Sequence, residues 1–346
     1  MTIVQVTVRG AGAIGLSIAW ELVQRGADVR VIDPRGGGGG ASGGVVGALA
    51  PHTPDAWNAK KQFQFDSLIA ANAFWRAVEA AGGVSPGYAR IGRLQPIADD
   101  RAEALARQRQ DAAGENWQGK AQWRVCPARD FGGWAPPSAT GLVVHDTLSA
   151  RLHPAQACAA LMAALRAKGV RIEIEGKDAG PVIHATGYEG LQELTEVLAK
   201  PVGNGVKGQA ALLAHDAGAV PQIYAENIHF IPHADGTLAI GSTSERDFAH
   251  PTETDAKLDD LIARAQAVMP RLAGAAVIRR WAGVRPRASS RAPLLGAWPG
   301  RESHFIANGG FKIGFGIAPG VARAMADLVL DGHDTIPPAF TPAALM

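Results

Sequence analysis

The sequence predicts an α/β fold with a second, α+β part, and three observations predict it. The first is the order of the opening residues: apolar Ile3 to Val8, Gly10-Ala-Gly12-Ala-Ile-Gly15, a helical pattern to Arg25, Gly26, and an apolar run, Val29 to Ile32, ending on Asp33. The second is a hairpin pattern far downstream, where Ile228 to Pro232 and Thr237 to Gly241 flank His-Ala-Asp-Gly. The third is length: 346 residues, 47% of them hydrophobic, suffice for two domains.

Strand, glycine turn, helix, strand and terminal carboxylate, in that order, form the Rossmann-like context in which G-x-G-x-x-G reads as a dinucleotide site. Gly10 permits the tight turn, Gly12 lets the backbone approach a pyrophosphate, and Gly15 lets the helix pack closely on the sheet. The helix opens at Ala13 and Ile14, whose end of the helix dipole favours phosphate. Asp33 is suited to ribose hydroxyls and disfavours a 2′-phosphate, which it would repel, although Arg35 nearby offers such a phosphate a cation; Pro34 and Arg35 are counted with the cofactor site. Ile14, Ile18 and Leu22 face the sheet, with Gly26 expected as the C-cap. Gly36 to Gly40 is expected to be a flexible surface loop, whereas Ala41 and Ser42 offer amides and a hydroxyl suited to phosphate oxygens.

Lys60 to Ala81 carries Phe65, Leu68, Ala71, Trp75 and Val78 at helical spacing, and Gly82-Gly83 stops it. Tyr88 to Pro96 reads as a strand and Arg101 to Gln110 as a polar helix, while Trp117, Trp123 and Trp134 read as packing residues of a small second domain. Gly141 to His145 is another strand. Pro154 starts a helix that continues through Lys168, with Gly169 beyond it. Val170, Ile172 and Ile174 alternate with charged residues as a half-buried strand. Pro181 to Gly187 reads as a strand delivering a threonine-glycine turn over the cofactor. Thr252-Glu-Thr-Asp255 is a capping-box pattern before a helix with Leu258, Leu261, Ile262, Ala265 and Met269 on one face. Phe305 to Ala307 reads as a strand, Asn308 to Gly314 as a turn, and Ile317 to Leu330 as the last helix.

Several function classes are disfavoured. A formal charge of +2 spread along the chain is no nucleic-acid footprint. Cys126 and Cys158 read as buried thiols, and the ten histidines and two cysteines show no metal-ligand spacing. No run of about 18 apolar residues marks a membrane span. The N-terminus lacks a secretory pattern, which predicts a cytoplasmic protein, and homo-oligomerisation is left open.

With these residues in view, the chain resembles the FAD-dependent D-amino acid oxidase family, particularly its bacterial glycine oxidase and sarcosine oxidase-like members. The motifs that carry the resemblance run in family order: the opening glycine motif through Asp33, Ala41-Ser42-Gly43, Gly47-Ala-Leu-Ala-Pro51, Gly92-Arg-Leu94, Ala185-Thr-Gly187, Lys207-Gly-Gln209, Phe230-Ile-Pro232, Ile240-Gly-Ser-Thr243, Gly283-Val-Arg-Pro286, Gly309-Gly-Phe-Lys-Ile-Gly314 and Ala318-Pro319. The resemblance implies a discontinuous FAD-binding domain from 1–50, 141–205 and 281–346, and an antiparallel-sheet substrate domain from 51–140 and 206–280. It implies oxidation of a C–N bond by hydride transfer to flavin, giving an imine that hydrolyses, with oxygen or an electron carrier as the final acceptor. The stretch Glu175 to Pro181 is shorter than the strand meander usual in this fold.

The same resemblance assigns site residues. Arg285, in the Gly-x-Arg-Pro motif, pairs with the carboxylate of a small amine substrate, for which a guanidinium fork is suited. His229 stands where many relatives have a tyrosine that helps bind that carboxylate. Lys312 supplies a cation for a carboxylate or for reduced flavin, and His52 follows a segment expected near the flavin. Ala185 and Gly187 join the cofactor site, as do Gly309, Gly310, Phe311, Lys312, Ile313 and Gly314. Neither cysteine matches a C-terminal flavin anchor, which implies noncovalent FAD. Two other readings stay open: a dehydrogenase of an amine or 2-substituted acid with a non-oxygen acceptor, and a catalytically inactive flavin-binding assembly protein.

Overall fold

The computed structural model describes residues 3–345. Gln5–Arg9 and Asp28–Ile32 pair in parallel, setting Val6 beside Val29 and Val8 beside Val31, all four buried. They lie within a six-stranded sheet ordered Leu294–Ala297, His304–Asn308, Val182–His184, Gln5–Arg9, Asp28–Ile32 and Ile172–Glu173. Its pairs are parallel except at the Leu294–Ala297 edge. The helices are α1 (Ala13–Gln24), α2 (Ala59–Gly82), α3 (Asp100–Asn116), α4 (Pro154–Ala167), α5 (Gly187–Leu198), α6 (Ala256–Val268) and α7 (Gly314–Asp331). Helices α1 and α2 both pack against α4 and α7. Leu16, Ile18, Leu22, Phe65, Leu68 and Trp75 are fully buried there, each contributing about 1.5–3 kcal/mol by leaving water. No helix among the described residues is long and apolar enough to cross a membrane.

An eight-stranded sheet forms the second layer, ordered Val277–Ala288, Gly203–Leu213, Leu238–Gly241, Ile228–Pro232, Gln222–Ala225, Arg93–Pro96, Leu142–Asp146 and Trp123–Pro127. It is antiparallel apart from one parallel pair, Gln222–Ala225 with Arg93–Pro96. Arg93 lies opposite Asp146, and their side chains form a buried ion pair at 2.9 Å. Removing either partner would strand the other charge out of water, so the pair penalises a slip in this register. The two longest strands, Gly203–Leu213 and Val277–Ala288, set Val206 opposite Arg285 and Gly208 opposite Gly283.

Several expected elements shift. Residues 142–146 and 281–288, expected with the cofactor-binding unit, are strands of the eight-stranded sheet, because a short apolar run does not encode its partner. The strand expected from Tyr88 begins only at Arg93, after positive-φ Gly87 and Gly92 bend the chain. The strand around Val170 to Ile174 shrinks to Ile172–Glu173 at a sheet edge, leaving Ile174 60% exposed. Helix α3 runs past Gln110 to Asn116, and α6 is capped by Asp255 rather than Thr252, its side chain accepting from Lys257 N at 3.0 Å. Arg25, not Gly26, caps α1.

Candidate active site

The sequence order of strand, turn and helix folds as a tightly interlocked corner. Gly10 adopts φ +106°, and a Cβ at Gly15 would stand 1.9 Å from Gly10 O, so neither position accepts a side chain without moving backbone. Asp33 holds the corner: Oδ2 accepts from Ala11 N at 2.8 Å and Oδ1 from Arg35 N at 2.9 Å. Ser42 reaches back to the same corner and accepts from Ala13 N at 2.9 Å, serving α1 as a cap supplied from a distant turn. The glycine run is not a free loop. Gly38 N donates to Ala11 O at 2.8 Å, and a Cβ on Gly37 would meet Met162 Sδ of α4 at 1.9 Å.

From this corner a cavity of about 950 Å³ extends to the eight-stranded sheet. Gly12, Ala13, Ile14, Asp33, Arg35, Ala41, Ser42, Ala185, Gly187, His229, Arg285, Gly310, Phe311, Lys312 and Gly314 line it. Of the other expected site residues, Gly10, Gly15, Pro34, His52, Gly309 and Ile313 are not among its lining residues. Gly10 and Gly15 act by packing beneath it. His52 is tied to α2, its backbone N donating to Gln64 Oε1 at 2.7 Å and its ring Nδ1 facing the same oxygen.

Arg285 stands half-buried at the far pole. Its Nη2 donates to Ser242 Oγ at 2.5 Å and its Nη1 reaches Thr243 O at 3.4 Å. Across the paired strand, a Cβ at Gly208 would stand 1.8 Å from Nη2, so glycine there makes room for the guanidinium. Desolvation lowers the Arg285 pKa to about 10, against the attraction of Glu245. That carboxylate is occupied elsewhere: Thr243 Oγ1 donates to it at 2.6 Å, Gln209 Nε2 at 3.0 Å and Lys257 Nζ at 3.0 Å. Among the described residues Arg285 therefore has no carboxylate partner.

The remaining wall is built by neighbouring turns. Phe311 N donates to Pro286 O at 3.0 Å, tying the turn that carries Lys312 to the Arg285 strand. Asn308 Nδ2 donates to Gly187 O at 2.7 Å, joining that turn to the 185–187 turn. Burial, then the cations Arg93, Lys312 and Arg285, push the His229 pKa down to about 3, so its imidazole is neutral at physiological pH.

Tyr224 and Trp281 also line the cavity. Tyr224 is the strand partner of His229, with ring centroids 4.6 Å apart, and its hydroxyl donates to Asn227 at 3.1 Å. A register extended back from the Ile228 strand was the signal that would have found it.

Two buried polar atoms bear on what the cavity holds. Thr186 Oγ1 and His229 Nδ1 have no hydrogen-bond partner among the described residues, and both residues line the cavity. Thr186 stands beside the side-chain-free glycine corner, its N 3.2 Å from where a Gly10 Cβ would be, and an unpaired hydroxyl there fits a polar, phosphate-bearing cofactor.

A model of the DAO family, described as FAD dependent oxidoreductase, matches residues 5–328. The chain belongs to this family. It is 27% identical to the glycine oxidase of Pseudomonas aeruginosa over 377 aligned positions, covering 98% of each chain. It is 28% identical to the bifunctional ThiO/ThiG protein of a Nostoc species, covering 94% of this chain and 52% of that protein. Among solved structures, glycine oxidase from Geobacillus kaustophilus superposes with a TM-score of 0.84 at 20% identity, covering 98% of each chain. Iminodiacetate oxidase from a Chelativorans species superposes at 0.81 and 21% identity, covering 97% of this chain and 98% of that one. The protein is thus an FAD-dependent oxidoreductase, and its Rossmann-like sheet with a separate, largely antiparallel sheet is the fold of these neighbours.

Proposed function

We propose that this FAD-dependent oxidoreductase oxidises the C–N bond of a small amino acid or N-alkylamino acid, giving an imine that hydrolyses. The observation that carries the reading is Arg285, a guanidinium lining the cavity with no carboxylate partner among the described residues. A planar fork in a desolvated site binds a substrate carboxylate through paired, charge-assisted hydrogen bonds. Glycine oxidases among the relatives act on a substrate of this kind, as their name states.

The residues divide the work. Asp33, Ser42 and the end of α1 shape the dinucleotide end, and bound FAD supplies the two-electron acceptor. Arg285 anchors the carboxylate, and the fixed register of its strand orients the amine-bearing carbon. Neutral His229 adds no charge beside an amine that must be unprotonated to give up hydride. FAD is held noncovalently in this reading: neither cysteine lines the cavity, and burial pushes the Cys158 thiol up to about 12.

The test is anaerobic mixing of the purified yellow protein with glycine, sarcosine and D-amino acids against their 2-hydroxy analogues. Bleaching by an amine and not by its hydroxy analogue is expected. Bleaching by hydroxy acids alone overturns the reading, and bleaching by neither class supports a flavin-binding assembly protein. Admitting air then separates an oxidase, which regains colour at once, from a dehydrogenase, which waits for an added carrier.

A further inference from the structure

The pole of the cavity around Arg285 carries more positive charge than one carboxylate neutralises. Arg285 and Lys312 both line it, and among the described residues neither has an ion pair with a carboxylate. The Lys312 ammonium lies 5.6 Å from the centroid of the Phe311 ring, an exposed cation held over a flat wall. Arg287, one strand position pair beyond Arg285, stands over the same ring at 5.6 Å. Helix α7 opens at Gly314 with no side-chain cap, which adds the positive end of an 18-residue helix beside Lys312.

Among the described residues none that lines this pole is acidic. The acidic residues lining the cavity are Asp33 and Glu189, both in the glycine-corner half. Asp33 is taken by two backbone amides, and Glu189 by Arg35 at 2.7 Å. Glu245, the anion that acts on Arg285, is held by Thr243, Gln209 and Lys257 and does not line the cavity. Burial, then Arg285 and Arg287, hold the Lys312 ammonium below its usual pKa, as expected for like charges with no counter-ion between them.

We propose that the substrate is a dicarboxylic amine, with one carboxylate on Arg285 and the second on Lys312. An N-carboxymethyl amino acid or an acidic amino acid has this pattern. The inference rests on the C–N oxidation proposed above and narrows its substrate class. Two cations set around one cavity gain from a ligand that brings two negative charges, and they favour it over a ligand that leaves one cation unpaired.

Unreactive thioethers test the charge assignment without turnover. Calorimetry of the FAD-loaded protein would compare thiodiacetate with (methylthio)acetate, which differ by one carboxylate. Thiodiacetate is expected to bind about fivefold tighter, the scale of a charge pair with an exposed lysine. In Lys312→Met that ratio should fall to about twofold or less, the statistical factor of a second carboxylate, with (methylthio)acetate affinity unchanged, and Lys312→Arg should keep the preference. Equal affinities in the parent overturn the proposal. So does a Lys312→Met variant that loses the same factor with both ligands, which would assign Lys312 to the bound flavin.

A second arm compares anaerobic flavin reduction by iminodiacetate and sarcosine, again one carboxylate apart, and a faster reduction by iminodiacetate is expected. If sarcosine reduces the flavin as efficiently, C–N oxidation stands and the second carboxylate falls. If the thioether preference holds while no amine reduces the flavin, the charge assignment stands and C–N oxidation falls.

Discussion

Arg285 Nη2 donates to Ser242 Oγ at 2.5 Å, and that hydroxyl holds one arm of the guanidinium fork against the cavity wall. Arg285→Lys keeps the charge and loses the fork. The expected result is a rise in KM for carboxylated amines that lowers kcat/KM about 30-fold or more. Ser242→Ala removes one hydrogen bond and should cost about fivefold in the same direction. Steady-state kinetics decide this, and an unchanged KM in Arg285→Lys removes the assignment.

Glu245 connects substrate binding to acid stability. Desolvation raises its pKa, but hydrogen bonds from Thr243, Gln209 and Lys257 outweigh that and hold the carboxyl below its ordinary 4.5. Its contribution to stability is therefore present above that value and lost as pH falls through the lower folded value. The parent Tm should drop as pH falls below the ordinary 4.5, and Glu245→Gln should flatten that drop. Calorimetry across this range checks it; parallel curves would contradict it. Because Thr243 also faces Arg285, Glu245→Gln should raise KM for carboxylates more than it lowers kcat.

The two corner glycines should fail in different degrees. A Cβ at Gly15 meets Gly10 O at 1.9 Å, whereas one at Gly12 meets Ser42 Oγ at 3.1 Å. Gly15→Ala should lose FAD content by about tenfold or more, and Gly12→Ala by only a few fold, since a hydroxyl yields where backbone does not. FAD fluorescence after denaturation, per mole of protein, measures both. Equal retention in the two variants would contradict the packing account.

His229 should not titrate in the working range. With its pKa pushed down to about 3, the ring is neutral from about pH 5 to pH 9. Profiles of kcat/KM for the parent and His229→Asn should share one shape over that range. An acid limb near pH 6 that vanishes in the variant would show that the ring is charged in the free enzyme.

The corner was legible because its requirements are local. Gly15 answers to Gly10 O and Asp33 to the amides of Ala11 and Arg35, all within the opening segment, whereas the close neighbour of Gly10 is Ala185 O, which the opening segment does not contain. The far pole depends on contacts between distant segments. His52 looked like a cavity residue because its segment lies near the cavity, yet Gln64, an ordinary polar residue in a helical pattern, reaches back to bind it. Tyr224 went unseen because the strand that sets it beside His229 comes before the hairpin that the turn residues marked. Residues 36–40 read as loose because glycine composition says nothing of Met162 lying 1.9 Å from where a Gly37 Cβ would stand. Residues 142–146, expected within the cofactor-binding unit, pair with Arg93–Pro96 and Trp123–Pro127, and a short apolar run does not name such partners.

The most direct test of C–N oxidation at the Arg285 pole is a single anaerobic turnover with product counting. The reduced flavin, the carbonyl product and the released amine or ammonia are quantified together after mixing with an amine that bleaches the protein. One carbonyl and one amine per flavin reduced is the predicted result, with reduction slowed at subsaturating substrate in Arg285→Lys. Flavin reduction without a released amine, or the same rate in Arg285→Lys, would contradict it.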